Sequence, residues 1–373
     1  MAGWLPVVSV TGPRQSGKST LVRNAFADYS YVNLEDVQTR AAAQIDPVGF
    51  IASHPAPLVI DEAQLAPDLF SQIQVVSDKT GAPGQYVLSG SQNFLLLKRI
   101  SQSLAGRVGI VRLLPLSYAE VHESRDITVD QFMFRGGYPR LYDIDIPEHI
   151  FFDGYVSTYV ERDVAGYLDV RNVDAFELLL RLCAQNAGSL FNISRLSSDL
   201  SVAKDTVRSW LSILESSYVI FRLQPHHANL RKRLTKTPKL YFYDTGLLCY
   251  LLRISSVEEL LQSPYLGMVF ENLVVSETLK RHLNAGKKPE LSFYRDDSRI
   301  EVDLIDSTDA SSIELVEIKS SQTYRSSFSR HLTKVGDMLE IARGNRHVVA
   351  RVESEFHTSE CWVNPVSSWL LRE

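Results

Sequence analysis

Residues 12–20, GPRQSGKST, constrain this chain more than any other stretch. They satisfy G-x-x-x-x-G-K-[S/T] at Gly12, Gly17, Lys18 and Ser19. Glycines at those places let successive backbone N–H groups turn inward, and a helix starting behind them adds its N-terminal partial charge. The apolar run VVSVTG (7–12) before the loop and the pattern of 18–27 after it predict strand, loop and helix in that order. That is the context in which such a loop cradles a nucleoside triphosphate. Lys18 is then placed to reach the β- and γ-phosphates, and the Ser19 hydroxyl to join the coordination of Mg²⁺. Pro13, Arg14, Gln15, Ser16 and Thr20 complete the wall around the phosphates.

The first 120 residues keep the same rhythm. Short apolar runs at 31–35, 57–62, 85–90 and 108–116 alternate with helical stretches at 36–53 and 67–79. Alternation of this kind predicts an α/β domain, a parallel sheet covered by helices on both faces. PLVIDEAQ delivers Asp61 and Glu62 to the carboxyl end of a strand. Asp61 suits the Mg²⁺ shell, and Glu62 is the candidate that polarises the attacking water. The added glutamate points to ATP hydrolysis, and no N/T-K-x-D guanine-reading motif follows. YVLSGSQN ends a fourth strand in polar residues, where Ser91, with Gln92 as the alternative, is the candidate γ-phosphate sensor. Arg107, in SLAGRVG, is the candidate arginine finger.

Beyond residue 120 the pattern changes. Residues 121–173 are aromatic and helical, with RGGYPR (135–140) as the main turn. Residues 174–252 read helix, short helix, helix, β-hairpin, the order of a winged helix-turn-helix. Residues 253–373 return to α/β. NLRKRLTKTPK places Arg231, Lys232, Arg233, Lys236 and Lys239 within nine residues and without an acidic side chain. At the tip of a wing such a patch would contact DNA phosphates without reading sequence. The helix preceding it carries Lys204, Asp205, Arg208 and Glu215, which cancel. ERDV (161–164) and YDTG (243–246) read as interface ion pairs, with Arg162 as a less favoured group for a neighbouring nucleotide site.

TGPRQSGKSTL, LVIDEAQ, LSGSQ, SLAGR leading into LPLSYAE, and RGGYPR resemble the AAA-type ATPases of prokaryotes that carry a C-terminal domain of unknown function. YVERDV, KTPKLYFYDTGLLCYLL, FENLVVSE, YRDDSRIEVDLI and VEIKSS extend the resemblance over essentially the whole chain. It implies an ASCE-type P-loop module, a winged-helix-like middle and a C-terminal domain of the PD-(D/E)XK nuclease-like fold. Members of that family carry a longer segment ahead of the first strand, one that helps to hold the base. Six residues precede it in this sequence, so no adenine contact is carried over.

The nuclease-like fold needs carboxylates around one or two cations and a positive group near the scissile phosphate. Asp303 lies in RIEVDLID, Glu317 and Lys319 in SIELVEIKS, and Glu271 in the helix GMVFENLVV. Together they supply the E…D…E-x-K set, in which Glu271, Asp303 and Glu317 would hold a second Mg²⁺ or Mn²⁺. Glu301 shares a strand face with Asp303, and one of the two is expected to pair with Lys319. His282 and His331 are close in sequence and read as structural.

A net charge of −5 gives no global attraction to nucleic acid, so DNA contact would rest on the local patch alone. Cys183, Cys249 and Cys361 are scattered, without a C-x-x-C pair, as in a reduced cytoplasmic protein. No apolar run reaches membrane-spanning length and the N-terminus lacks a signal-peptide pattern. Two outputs therefore stand beside ATP binding and hydrolysis. One is DNA binding, with metal-dependent cleavage at the C-terminal carboxylates. The other is a nucleotide-dependent switch that binds a protein partner or further copies of the chain, its nuclease-like domain silent.

Overall fold

A computed structural model describes residues 1–90, 104–159, 173–226 and 237–372. The chain divides into two compact units: Met1–Pro115 with Ser216–Tyr218, and Leu116–Glu215 with Val219–Glu373. Ser91, Gln92, Arg162, Arg231, Lys232, Arg233 and Lys236 lie outside the described residues.

The first unit is built on β1 (Val7–Thr11), β2 (Ser30–Asn33), β3 (Leu58–Asp61), β4 (Tyr86–Gly90) and β5 (Val108–Arg112). All pair in parallel, in the order β2-β3-β4-β1-β5. The three inner strands are buried along their whole length, as expected where helices cover both faces. Period-two alternation divides their side chains between two cores. Val7, Leu58, Ile60, Tyr86 and Leu88 join Phe70 and Ile73 on one side. Val8, Val10, Val59 and Val87 join Val22 on the other. Each buried aliphatic side chain contributes about 1.5–3 kcal/mol relative to exposure.

The helical stretch expected at 36–53 is broken in two, Val37–Ile45 and Pro47–Ser53. Pro47 lacks the N–H that a continuing helix would use, and Asp46 accepts from Gly49 N at 2.9 Å, capping the second piece. The strand order puts β4 between the strand that enters the glycine loop and the strand that carries Asp61.

The second unit holds an eight-stranded mixed sheet, ordered β12-β13-β11-β10-β9-β8-β6-β7. Its strands are β6 (Ile220–Pro225), β7 (Lys239–Phe242), β8 (Leu291–Arg295), β9 (Glu301–Asp306), β10 (Glu314–Lys319), β11 (Arg346–Ala350), β12 (Phe356–His357) and β13 (Trp362–Pro365). Ahead of β6 come helices Val173–Gln185, Ile193–Asp199 and Lys204–Ser216, the expected order. The hairpin β6–β7 does not end the middle segment, however. Gln224 and Pro225 pair in parallel with Ser292 and Phe293, so the sheet runs on across the boundary expected at 252.

Helix Leu266–Asn284 packs on this sheet and is buried on nearly every side. Asn272 satisfies both backbone groups of Phe242, accepting from its N–H at 2.8 Å and donating to its carbonyl at 2.9 Å. Those are ladder groups on the outermost strand, which otherwise need a further strand. Glu277 and Lys280 pair at 2.7 Å, both buried.

The RGGYPR turn and the YDTG run interlock. Asp244 caps helix Thr245–Leu251 by accepting from Leu247 N at 2.9 Å, and it also accepts from Gly137 N at 2.7 Å. A Cβ on Gly136, whose φ is +78°, would stand 2.4 Å from Asp244 Oδ1. The ion pair expected of YDTG is thus replaced by hydrogen bonds to backbone N–H groups. Among the described residues no helix is long and apolar enough to cross a membrane.

Candidate functional sites

Strand β1 stops at Thr11 and helix Lys18–Ala25 begins at Lys18, so 12–17 form the expected loop. Gly12 is obligatory, because a Cβ there would lie 2.0 Å from the Leu113 carbonyl oxygen. Gln15 and Gly17 take φ of 59° and 89°, the left-handed region that turns the chain inward. Ser16 Oγ donates to Pro13 O at 3.0 Å and Lys18 Nζ to the same oxygen at 2.6 Å, so the lysine folds back over the cradle. Arg14 is half-buried, while Gln15, Ser19 and Thr20 are exposed at its mouth.

Asp61 ends β3 beside this loop. Its carboxylate accepts from Tyr31 Oη at 2.6 Å, from Glu62 N at 3.1 Å, and from the hydroxyl of Ser89. Burial pushes the Asp61 carboxyl up, but Ser89, Tyr31 and Ser19 prevail and hold it below the usual carboxylate range. Ser19 is close enough to lower the Asp61 carboxyl, and the two expected Mg²⁺ ligands are both hard oxygen groups, so they fit a hard cation at the loop. Glu62 follows with φ of 54°, a strained conformation for a non-glycine residue, and accepts from Gln64. Burial raises its carboxyl, opposed by the Gln64 hydrogen bond and the nearby Lys18 charge. A raised glutamate within the field of the loop lysine is suited to general-base work.

Arg107 does not join them. It directly precedes β5, and Val108 registers with Val7, so Arg107 sits at the amino end of the sheet. The loop lies at the carboxyl end, a strand length of roughly 13 Å away at 3.3 Å per residue. Arg107 instead pairs with Asp78 and donates to Ala105 O at 3.0 Å. The arginine-finger expectation fails for this chain's own loop. Sequence reasoning also passed over Ser89 and Tyr31, which hold Asp61. Ser89 was visible as a polar residue inside an otherwise apolar strand.

In the second unit, period-two spacing points pairs of side chains to one sheet face: Lys239 and Tyr241 from β7, Glu301 and Asp303 from β9, Glu317 and Lys319 from β10. Glu271 comes from helix Leu266–Asn284. The expected Glu271, Asp303, Glu317 and Lys319 are therefore brought together. Lys319 Nζ lies 2.7 Å from Glu317 Oε1 and 3.8 Å from Asp303 Oδ2, the latter oxygen also accepting from Ile318 N at 2.8 Å. Glu317 is 6% exposed, and its Oε2 has no hydrogen-bond partner among the described residues. Burial and Asp303 push its carboxyl up to about 8, against the pull of Lys319.

Lys239 corrects the basic-patch expectation. It is 3% exposed and lies 3.0 Å from Glu271 Oε1, 2.6 Å from Glu301 Oε1 and 4.0 Å from Asp303 Oδ1. Its ammonium also sits 5.5 Å from the Phe293 ring centroid. Burial disfavours the charge, yet Tyr241 and the three carboxylates hold the ammonium well above its ordinary range. Tyr241 Oη donates to the same Glu271 oxygen at 2.6 Å, and Arg295 takes the other oxygen of Glu301 at 2.9 Å. Glu301 thus pairs with Lys239 and Arg295 rather than Lys319.

The second metal does not fit this arrangement. Among the described residues no group of three or more His, Cys, Asp or Glu side chains is arranged to hold a metal ion. Glu271 Oε1 already accepts two hydrogen bonds, from Lys239 and Tyr241. His282 bonds Asp306 at 2.5 Å and His331 the Glu301 backbone, both structural.

Comparison with known proteins divides the chain in three. Residues 5–122 match a family model described as AAA domain. Residues 126–258 and 266–369 match two domains of unknown function, DUF8612 and DUF4143. Uncharacterized proteins of Mycobacterium tuberculosis and Mycobacterium bovis are each 35% identical over 276 residues, 73% of this chain and 62% of theirs. The chain therefore spans less than two thirds of those relatives' length. An uncharacterized protein of Methanocaldococcus jannaschii is 22% identical over 330 residues, 79% of this chain and 71% of its own. A solved structure of a signal-transduction ATPase with numerous domains, bearing a tetratricopeptide repeat sensor, from Pyrococcus horikoshii, is 12% identical. It covers 75% of this chain and 44% of that one at a TM-score of 0.28, too low to carry an argument. The parallel sheet with its phosphate loop thus matches the AAA domain model, and the two segments that follow match families without assigned function.

Proposed function

We propose that the first unit binds ATP with Mg²⁺ and hydrolyses it, using the hydrolysis as a switch. In this reading Lys18 leaves the Pro13 carbonyl for the β- and γ-phosphates, while Ser19 and Asp61 hold Mg²⁺. The metal supplies neutralising charge on the phosphate oxygens. Glu62 orients water and accepts its proton. The observation that carries this is the meeting of Lys18, Ser19, Asp61 and Glu62 at the carboxyl ends of β1 and β3. Lys18→Ala is expected to abolish ATP turnover. Glu62→Gln should retain ATP binding, read by a fluorescent analogue, while hydrolysis slows by about 10²-fold or more. Full turnover in Lys18→Ala would remove the assignment.

For the second unit, the reading is a nucleotide-dependent scaffold for a protein partner or a further copy of the chain, with a silent nuclease-like face. The rival is DNA binding through residues 231–236 with Mg²⁺- or Mn²⁺-dependent cleavage at Glu271, Asp303, Glu317 and Lys319. Burial of Lys239 among the carboxylates favours the silent face, because the positive charge is already in place. Purified protein should leave single- and double-stranded DNA intact with Mg²⁺ or Mn²⁺. Degradation that Asp303→Ala abolishes would reverse the choice.

A further inference from the structure

Four carboxylates meet beneath helix Leu266–Asn284: Glu271, Glu301, Asp303 and Glu317. Like charges this close repel unless cations stand between them or a proton neutralises one. The cations come from the chain itself, as Lys239, Lys319 and Arg295. Lys239 bridges the helix carboxylate Glu271 and the strand carboxylates Glu301 and Asp303, at distances of 3.0, 2.6 and 4.0 Å. A divalent ion bound by those oxygens would stand roughly 2.0–2.6 Å from each, depending on the metal. An ammonium in contact with Glu271 Oε1 and Glu301 Oε1, and 4.0 Å from Asp303 Oδ1, occupies the space between helix and strand where that ion would sit. The lone pairs agree with the spacing: Glu271 Oε1 receives both Lys239 and Tyr241, and Asp303 Oδ2 receives Ile318 N. The Oε2 of Glu317 is buried and accepts no hydrogen bond among the described residues.

We propose that the Lys239 ammonium is the resident cation of this carboxylate cluster and excludes divalent metal from it. A metal site is latent there, formed by Glu271, Asp303 and Glu317, and the side chain of β7 closes it. This rests on reading the face as silent and names the residue that silences it. Removing the charge while keeping the length of the side chain opens the site to a hard divalent cation.

The test uses the full chain without nucleotide, titrated with Mn²⁺ and followed by the electron paramagnetic resonance of the free ion. Wild-type protein is expected to bind no Mn²⁺ tightly. Lys239→Met is expected to gain one Mn²⁺ per chain, and the double variant Lys239→Met/Asp303→Asn to lose it. Because Lys239→Met leaves carboxylates uncompensated, it should melt earlier than wild type, and Mn²⁺ should restore the midpoint in the single variant only. Mn²⁺ bound at this cluster in wild-type protein overturns the proposal, and that arm needs no variant to fold. A folded Lys239→Met chain that takes up no Mn²⁺ overturns it equally. Degradation of DNA by the wild type would instead strike the silent reading itself, so the two failures are told apart.

Discussion

Tyr31 at the edge of the first sheet donates its hydroxyl to Asp61 on the next strand at 2.6 Å. The Arg23 guanidinium lies 4.1 Å from the centre of the Tyr31 ring, fixing the phenol from the helix that follows the phosphate loop. Burial and the Asp61 bond push the Tyr31 hydroxyl up to about 12, so it stays a donor at any working pH. Tyr31 is a positioning residue: it orients one oxygen of Asp61 while Ser89 orients the other.

Tyr31→Phe removes that donor and little packing. Partners that orient a metal ligand typically matter by 10–100-fold in metal affinity. The half-saturating Mg²⁺ concentration for ATP hydrolysis should rise by about 10-fold, with turnover at saturating Mg²⁺ changed much less. A Mg²⁺ titration of steady-state hydrolysis reads both. An unchanged Mg²⁺ requirement would reduce Tyr31 to a packing residue.

Asp244 supports a second prediction. It is buried, caps a helix and holds Gly137, so Asp244→Ala leaves at least two backbone N–H groups without their acceptor. Loss of a cap costs about 1 kcal/mol and each buried unsatisfied donor about 1–3 kcal/mol. Destabilisation of roughly 2–4 kcal/mol is expected in urea unfolding followed by circular dichroism. Gly136→Ala should cost as much, since its Cβ would meet Asp244 Oδ1 at 2.4 Å in a backbone region that only glycine favours. The clash needs Asp244, so the double variant should be less destabilised than the sum of the two. Strict additivity would mean that the two residues do not act on each other.

What the sequence disclosed follows the range of the interactions. The phosphate loop is legible because its chemistry needs residues within nine positions of one another, and Asp61–Glu62 because an apolar strand delivers them. Glu271, Asp303, Glu317 and Lys319 are legible because a known spacing groups them. Lys239 was misread because its neighbours in sequence are basic while its partners lie 32 and 62 positions onward, at Glu271 and Glu301. Only the sheet brings them together. Its place two residues before Tyr241 in a strand was the available signal, since a lysine pointing inward demands a carboxylate. Arg107 was within reach of reasoning as well: in a parallel sheet, a residue that precedes a strand lies opposite the carboxyl ends where the loop sits.

His347 on β11 carries the pH prediction. It is 4% exposed, with Nδ1 2.9 Å from Asn364 Oδ1 and Nε2 3.6 Å from Glu314. Burial, helped by Arg372 and Arg281 and opposed by Asn364, lowers its pKa to about 4 from the ordinary 6.5. Between those values the unfolded chain takes up a proton that the native imidazole refuses. The contribution of a neutral His347 is therefore fully present above pH 6.5 and lost as pH falls towards 4, worth about 3 kcal/mol at about 1.4 kcal/mol per pH unit. Glu314, raised by burial, works in the opposite sense, so the comparison is made between wild type and His347→Gln. Wild type should lose more stability than the variant between pH 6.5 and 4.5 in urea unfolding. Parallel pH profiles would mean that His347 takes up its proton as readily in the fold as outside it.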